Sequence, residues 1–175
     1  PETPIRLDVL RVEFAKGERN ADDLLALKEA LPPLLIAALS EKKVEVGRVD
    51  ITFGASAEAT ACSLAEGGID VAFLPLLSLF SCEEGAYRLA LVQAADGESA
   101  IEEREAAAIT RKNKAVAPDG FLAALRGAVE ALCADEEGRA ALSLYEAAPD
   151  YRSAEMSDFA SERAAYEKDN SGAIN

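Results

Sequence analysis

The sequence contains no histidine, no tryptophan, one methionine and few aromatic residues. Without histidine, the chain lacks the usual base of a catalytic triad, the usual proton shuttle near neutral pH and the commonest metal ligand. A glycine-rich phosphate loop is absent as well, because neither GxGxxG nor GxxxxGK[ST] occurs. These absences predict a protein that is not an enzyme and that carries no cofactor or metal.

Positive charge is also scarce, with 18 Lys and Arg against 32 Asp and Glu and a net charge of −14. So acidic a surface repels phosphate backbones and anionic lipids, which excludes nucleic acid as an expected partner. No apolar run reaches the roughly 18 residues of a membrane span. Residues 1–4 show no signal peptide, and this polar start is typical of a removed leader or of an engineered end. The length and composition predict one domain over residues 1–175.

Cysteine is rare and scattered. Cys62, Cys82 and Cys133 form no CxxC pair, which excludes zinc-knuckle and thioredoxin-type sites. An odd number of thiols permits at most one internal disulfide. Two interpretations stay open: the cysteines are small buried apolar side chains, or Cys62 and Cys82 form a disulfide.

The first half of the chain alternates strand-like and helix-like patterns, which predicts a parallel sheet with crossover helices. Asn20 is predicted to cap the first helix, and Gly67 to end the second. Pro32 and Pro33 predict either a kink in the first helix or two separate helices. The predicted strands are 5–14, 44–53 and 69–74, and the predicted helices are 21–42, 57–66 and a turn at 75–80.

The second half changes pattern. Two further strands, 87–94 and 106–110, are joined by a polar link at residues 95–105 that is too short for a crossover helix, so we expect them to run antiparallel. A periodic helix at 120–134 and a shorter one capped by Asp135 follow. In the extension 149–175, Phe159 and Tyr166 are expected to anchor an amphipathic turn. The predicted fold class is α/β, a three-layer lobe with a mixed, mostly parallel five-stranded sheet flanked by helices.

Two charged stretches are candidate functional sites. The carboxylates near residues 98–105 are interpreted as a solvated link, because an acid pair needs an apolar pocket to separate its pKa values. The basic residues 111–114 form either a hydrated turn or a contact with an anionic ligand or partner. Ser56 has neither a GxSxG context nor a histidine to activate it, which excludes hydrolase chemistry.

Residues 67–74 read Gly-Gly-Ile-Asp-Val-Ala-Phe-Leu, between a short helix and a helical turn that holds Ser78. This segment resembles the first lobe of phosphonate/phosphate-type ABC-transporter substrate-binding proteins, which have the periplasmic binding protein type II fold. The helix pair within residues 121–142 looks like the closing pair of that family. In pieces, the resemblance covers residues 5–145.

The resemblance implies a ligand site at Ser56, Glu58 and Ser78. Ser56 and Glu58 fall on the family's polar helix cap, but a carboxylate now stands where an anion would approach. Ser78 is what remains of the family's next ligand segment. The implied partners are a small anionic solute and an ABC permease, and the implied location is extracytoplasmic.

In that family a second lobe is inserted between the two crossover strands. A lobe needs on the order of 100 residues, so the link at 95–105 predicts that the second lobe is missing. Two functions follow: a solute-binding-like domain with weak or altered ligand binding, or a protein–protein interaction module that homodimerises through the surface left by that lobe. The second function expects an apolar patch there, formed by Leu76, Leu77, Leu79 and Phe80.

Overall fold

The computed structural model describes residues 3–94, 101 and 104–172. Most of the predicted link at residues 95–105 therefore lies outside the described residues. Six strands of the described chain form one sheet in the order β2-β1-β3-β5-β4-β6. Their bounds are β1 Ile5–Ala15, β2 Val44–Gly54, β3 Val71–Pro75, β4 Tyr87–Gln93, β5 Glu105–Thr110 and β6 Tyr151–Ser153.

The strand directions divide the sheet into two parts. β1 pairs in parallel with both β2 and β3, whereas the pairs β3–β5, β5–β4 and β4–β6 are antiparallel. The predicted antiparallel pairing of the fourth and fifth strands is confirmed. The predicted five strands are corrected to six, because β6 has three residues, too few to show an alternating pattern. The mostly parallel character is corrected as well, since three of the five strand pairs are antiparallel.

Helices cover both faces of the sheet, as the three-layer prediction expects. The large core cluster lies between one face and α1, α4 and α5, while α2, α3 and α6 contribute to a second cluster on the other face. The bounds are α1 Ala21–Glu41, α2 Ala57–Glu66, α3 Leu76–Leu79, α4 Asp119–Ala134, α5 Glu136–Leu142 and α6 Ala160–Gly172.

The two prolines of α1 do not divide the helix, which rules out the alternative of two separate helices. Pro32 and Pro33 leave the carbonyl groups of Lys28 and Glu29 without their usual helical N–H donors. Both of these residues are exposed, so water can reach their carbonyls, and the buried leucines on either side hold the helix against the sheet. The predicted cap is confirmed: the Asn20 side chain accepts from two first-turn N–H groups.

A C-terminal segment covers the surface of α3. The Tyr166 ring packs edge-on against Phe80 with ring centroids 5.7 Å apart, and Phe159 joins the same cluster, as predicted. The buried guanidinium of Arg163 donates to the Tyr87 hydroxyl at 2.7 Å and to the Cys82 carbonyl. This segment therefore ties α6 to the start of β4 and to the turn after α3.

The predicted apolar patch is consequently not exposed. Leu76, Leu79 and Phe80 are at most 3% exposed and belong to the second core cluster, and Leu77 is half-buried against it. The prediction is wrong because the covering residues lie about 80 positions further along the chain, beyond any local pattern.

All three cysteines are free. Cys133 is buried, as the first interpretation expects, but Cys62 is exposed and Cys82 is half-buried. The Cys62 thiol lies 3.4 Å from the Glu66 carboxylate, which raises the pKa of the thiol. A raised pKa keeps the thiol protonated and therefore slow to react.

The aspartate of the Gly-Gly-Ile-Asp segment anchors three parts of the fold. Asp70 is 1% exposed and accepts the backbone N–H of Arg11 at 2.8 Å, the Arg11 guanidinium at 3.2 Å and the side-chain amide of Asn113. It precedes β3, so it lies at the sheet edge opposite to Pro75. Its role is to hold β1, β3 and the segment after β5 together.

We expect Asp70→Ala to lower the free energy of unfolding by about 2–3 kcal/mol, because the buried Arg11 N–H and the Asn113 amide lose their acceptor. Asp8→Ala, at an exposed aspartate of β1, is the control and should stay within about 0.5 kcal/mol of wild type. Urea denaturation measures both. A loss at Asp70 no greater than the loss at Asp8 would contradict this anchoring role.

Candidate functional site

The carboxyl ends of β1, β2 and β3 meet at one edge of the sheet, here termed the carboxyl edge, because these three strands are parallel. The first residue of β5, Glu105, stands opposite Pro75 at this edge, and β4 ends there as well. In open α/β sheets, ligands bind in the crevice outside the carboxyl ends of the strands. The carboxyl edge is therefore the candidate site.

Two of the predicted site residues lie where β2 leads into α2. Ser56 is the N-cap of α2, and its hydroxyl accepts the N–H of Ala59 at 3.1 Å. Glu58 is exposed in the first turn, where the helix dipole stabilises its negative charge. A negative side chain at this helix end repels an approaching anion.

The third predicted residue, Ser78, lies in α3 directly after β3. Its half-buried hydroxyl donates to the Pro75 carbonyl at 2.5 Å. Since α2 and α3 contact one another, the structure brings the two serines to neighbouring helices at the same edge. Both hydroxyls bond to nearby backbone, and a ligand role for Ser56, Glu58 and Ser78 stays a prediction.

A buried ionic cluster at the same edge was not predicted. Arg19, in the loop after β1, places its guanidinium 3.7 Å from the centre of the Tyr145 ring and its Nη2 3.4 Å from Glu105 Oε1. The Tyr145 hydroxyl donates to the same carboxylate oxygen at 2.9 Å. Arg19 Nε also donates to the Tyr145 carbonyl at 2.7 Å. We call these three residues the Arg19–Glu105–Tyr145 cluster.

Burial controls the protonation of this cluster. The pKa of Glu105 is raised above its ordinary value of 4.5, mainly by burial, although the bond from Tyr145 and the charge of Arg19 oppose the shift. The pKa of Tyr145 is raised far above its ordinary value by burial and by the charge of Glu105. Tyr145 therefore remains a hydrogen-bond donor over the whole physiological range.

Aromatic rings pack against the Tyr145 side of the cluster. Phe14 and Phe73 stack with their centroids 4.5 Å apart, and Tyr145 meets Phe14 edge-on at 4.8 Å. Tyr151, at the start of β6, packs edge-on against Phe73. Its buried hydroxyl has no hydrogen-bond partner among the described residues. These rings fix the strand ends on which the cluster stands.

The charges of the edge determine what it can hold. Arg19 is neutralised by Glu105, and Glu146 lies 3.9 Å from its guanidinium. With Glu58 also at this edge, acids outnumber bases among these residues, which disfavours tight binding of a dianion. Within the described residues, no group of three or more side chains has the arrangement of a metal site.

The sequence contains a weak signal for the cluster. Glu105 is the first residue of a strand in which every residue is buried, and Arg19 follows the first strand. Topology brings both to one edge. The sequence gives no sign that Tyr145 belongs to the cluster. Its position at the end of a short helical pattern indicates only a core residue.

No family model and no curated protein matches this sequence. Solved structures do share the fold. PhnD1 from Prochlorococcus marinus (MIT 9301), in complex with methylphosphonate, is 10% identical with a TM-score of 0.60, over 93% of this chain and 98% of that chain. XAC2383 from Xanthomonas citri, bound to chloride ion, is 8% identical with a TM-score of 0.54. This alignment covers 82% of this chain and 91% of that chain. The likeness shows the fold alone. It confirms the predicted α/β class, with a mixed sheet flanked by helices.

The raised pKa of Glu105 predicts a specific pH dependence. The folded state holds this proton more tightly than the unfolded state, so the stabilisation is full below pH 4.5 and is lost as pH rises through the raised pKa. We expect Glu105→Gln to remove this loss, so that the free energy of unfolding falls less between about pH 4 and pH 7 than in wild type.

Urea denaturation at several pH values measures this difference. Glu58→Gln is the control, because it removes an exposed carboxylate at the same edge that is not among the causes of the Glu105 pKa shift, and it should follow the wild-type pH dependence. Equal pH dependence in wild type and Glu105→Gln would contradict the assignment of the proton to Glu105.

Proposed function

We propose that this chain is a non-enzymatic solute-binding-like domain, related to phosphonate/phosphate ABC-transporter binding proteins, whose binding of small anions at the carboxyl edge is weak or altered. The observation that carries the proposal is the shared fold together with the N-terminus of α2 at that edge, capped by Ser56. Backbone N–H groups at a helix start attract anions.

Local chemistry supports weakened binding. The hydroxyls of Ser56 and Ser78 bond to backbone groups, and Glu58 adds a negative charge beside the helix start. The one arginine of the cluster is already neutralised by Glu105. An incoming anion would have to compete with carboxylates that belong to the chain itself.

The absence of histidine supports a non-enzymatic role, since neither serine hydroxyl has an imidazole to activate it. The proposal includes the loss of the second lobe. Only 11 residues separate β4 from β5, whereas a lobe needs on the order of 100.

The proposal places the protein outside the cytoplasm, with a small anionic solute and an ABC permease as its partners, as the family resemblance implies. Among the described residues, no helix combines the length and the apolar character required to cross a bilayer. The homodimerising alternative remains a prediction, and it no longer has the apolar patch that motivated it.

Calorimetric titration with methylphosphonate, phosphate and phosphite tests the proposal. We expect binding to at least one of these anions with a dissociation constant of about the millimolar range. Glu58→Gln should tighten this binding about two- to fivefold, because a repelling charge leaves the helix start.

Glu66→Gln is the matched control, since it removes the same charge from the other end of α2 and should leave the affinity unchanged. The absence of heat with all three anions, for wild type and for Glu58→Gln, would refute ligand binding at this edge. Equal tightening by both variants would show a general charge effect instead of a local site.

A further inference from the structure

A cavity of about 470 Å³ lies at the sheet edge opposite to the carboxyl edge, where β4 begins. β6 pairs with β4 only from Leu91 to Gln93, so within the described chain the first half of β4 has no strand neighbour on that side. α4 and the segment leading into α6 complete the walls. The volume falls in the range of about 300–1,000 Å³ that small-molecule sites occupy.

The wall of this cavity combines an apolar surface with three guanidinium groups. Leu89, Leu122 and Met156 supply the apolar part. Arg88, Arg111 and Arg126 supply the positive charge, on a chain whose net charge is −14. Such a concentration of arginine is unexpected where acids outnumber bases throughout the sequence.

Backbone carbonyls hold two of these arginines in place. Arg126 donates to the carbonyls of Ala90 at 2.8 Å and Leu89 at 3.1 Å, and Arg111 Nε donates to the Tyr87 carbonyl at 3.0 Å. Within the described chain, neither arginine has a carboxylate oxygen within the 4.0 Å of an ion pair. The two terminal nitrogens of Arg111 have no hydrogen-bond acceptor there either, so its fork is open to a bidentate partner.

The acidic residues of the lining are engaged elsewhere. Glu84 lies 3.3 Å from Arg163 Nε, and Glu155 is exposed at the N-terminus of the helical turn before α6. Arg88 Nη1 donates to Asp119 Oδ1 at 2.7 Å, and the other guanidinium N–H groups of Arg88 have no acceptor among the described residues. These acids nevertheless lower the local positive potential, which favours a monoanion over a dianion.

Two backbone acceptors at the free edge of β4 are already occupied, which disfavours the addition of a peptide strand. The Ala90 carbonyl accepts the N–H of Ala154 as well as Arg126, and the Leu89 carbonyl is also occupied by Arg126. A peptide adding to this edge would find its acceptors taken. The cavity is therefore suited to a small molecule.

We propose that this cavity binds a small organic carboxylate. Its carboxylate pairs with the fork of Arg111 and with the free donors of Arg88, and its apolar part packs against Leu89, Leu122 and Met156. This site is independent of the anion site proposed at the carboxyl edge, because the two lie at opposite ends of the strands.

Titration of the full chain with benzoate tests the proposal, followed by calorimetry and by the backbone amide shifts of Leu89, Leu122 and Ser157. We expect saturable binding, with about tenfold or greater loss of affinity in Arg111→Gln. Arg152→Gln is the matched control, because this exposed arginine of β6 carries the same charge outside the cavity. Benzyl alcohol and inorganic phosphate should bind far more weakly than benzoate.

Thermal melting followed by circular dichroism checks that the variants fold. Arg111→Lys keeps the charge but loses the fork, so it should also weaken binding if Arg111→Gln proves unstable. Absence of saturable benzoate binding, equal losses in Arg111→Gln and Arg152→Gln, or equal affinity for benzyl alcohol or phosphate would each overturn the proposal. Glu58→Gln should leave benzoate affinity unchanged, which separates this site from the one at the carboxyl edge.

Discussion

The sheet depends on a short contact between β1 and β3. Only three residue pairs, from Val12–Val71 to Phe14–Phe73, join β1 and β2 to β3 and to the antiparallel strands beyond it. Both ends of this contact are reinforced. The Asp70 carboxylate binds Arg11 at one end, and the rings of Phe14 and Phe73 stack at the other. The Gly-Gly-Ile-Asp segment that carries the family resemblance thus has a structural role, at the edge remote from the predicted ligand site.

The same contact determines the chemistry of the carboxyl edge. Phe14 and Phe73 support Tyr145, which in turn donates to Glu105 beside Arg19. The edge is therefore held together by its own ion pair, in the position where open α/β sheets bind their ligands. At the far edge the opposite arrangement is found, because arginines anchored to backbone carbonyls keep donors free. Arg88, Arg111 and Arg126 thus gather guanidinium groups at the edge opposite to the carboxyl edge.

The strand and helix order, the Asn20 cap and the antiparallel fourth and fifth strands could be predicted, since each depends on periodicity or on short-range turn chemistry. The features that were missed depend on distant residues. Phe80 looks like a surface residue until Tyr166 of α6 covers it, and the three residues of β6 are recognisable as a strand only through their pairing with β4. The Arg19–Glu105–Tyr145 cluster joins three segments that no local pattern connects. Pro32 and Pro33 are tolerated because solvent reaches the carbonyls they leave free.

The cover formed by Phe159 and Tyr166 affects how the chain can fold during synthesis. The apolar surface of α3 leaves the ribosome long before the residues that bury it, since their contacts join positions about 80 residues apart. Until α6 emerges, that surface is open to water and to other nascent chains, a condition that favours aggregation. The surface is therefore most vulnerable between the emergence of α3 and the emergence of α6 from the ribosome.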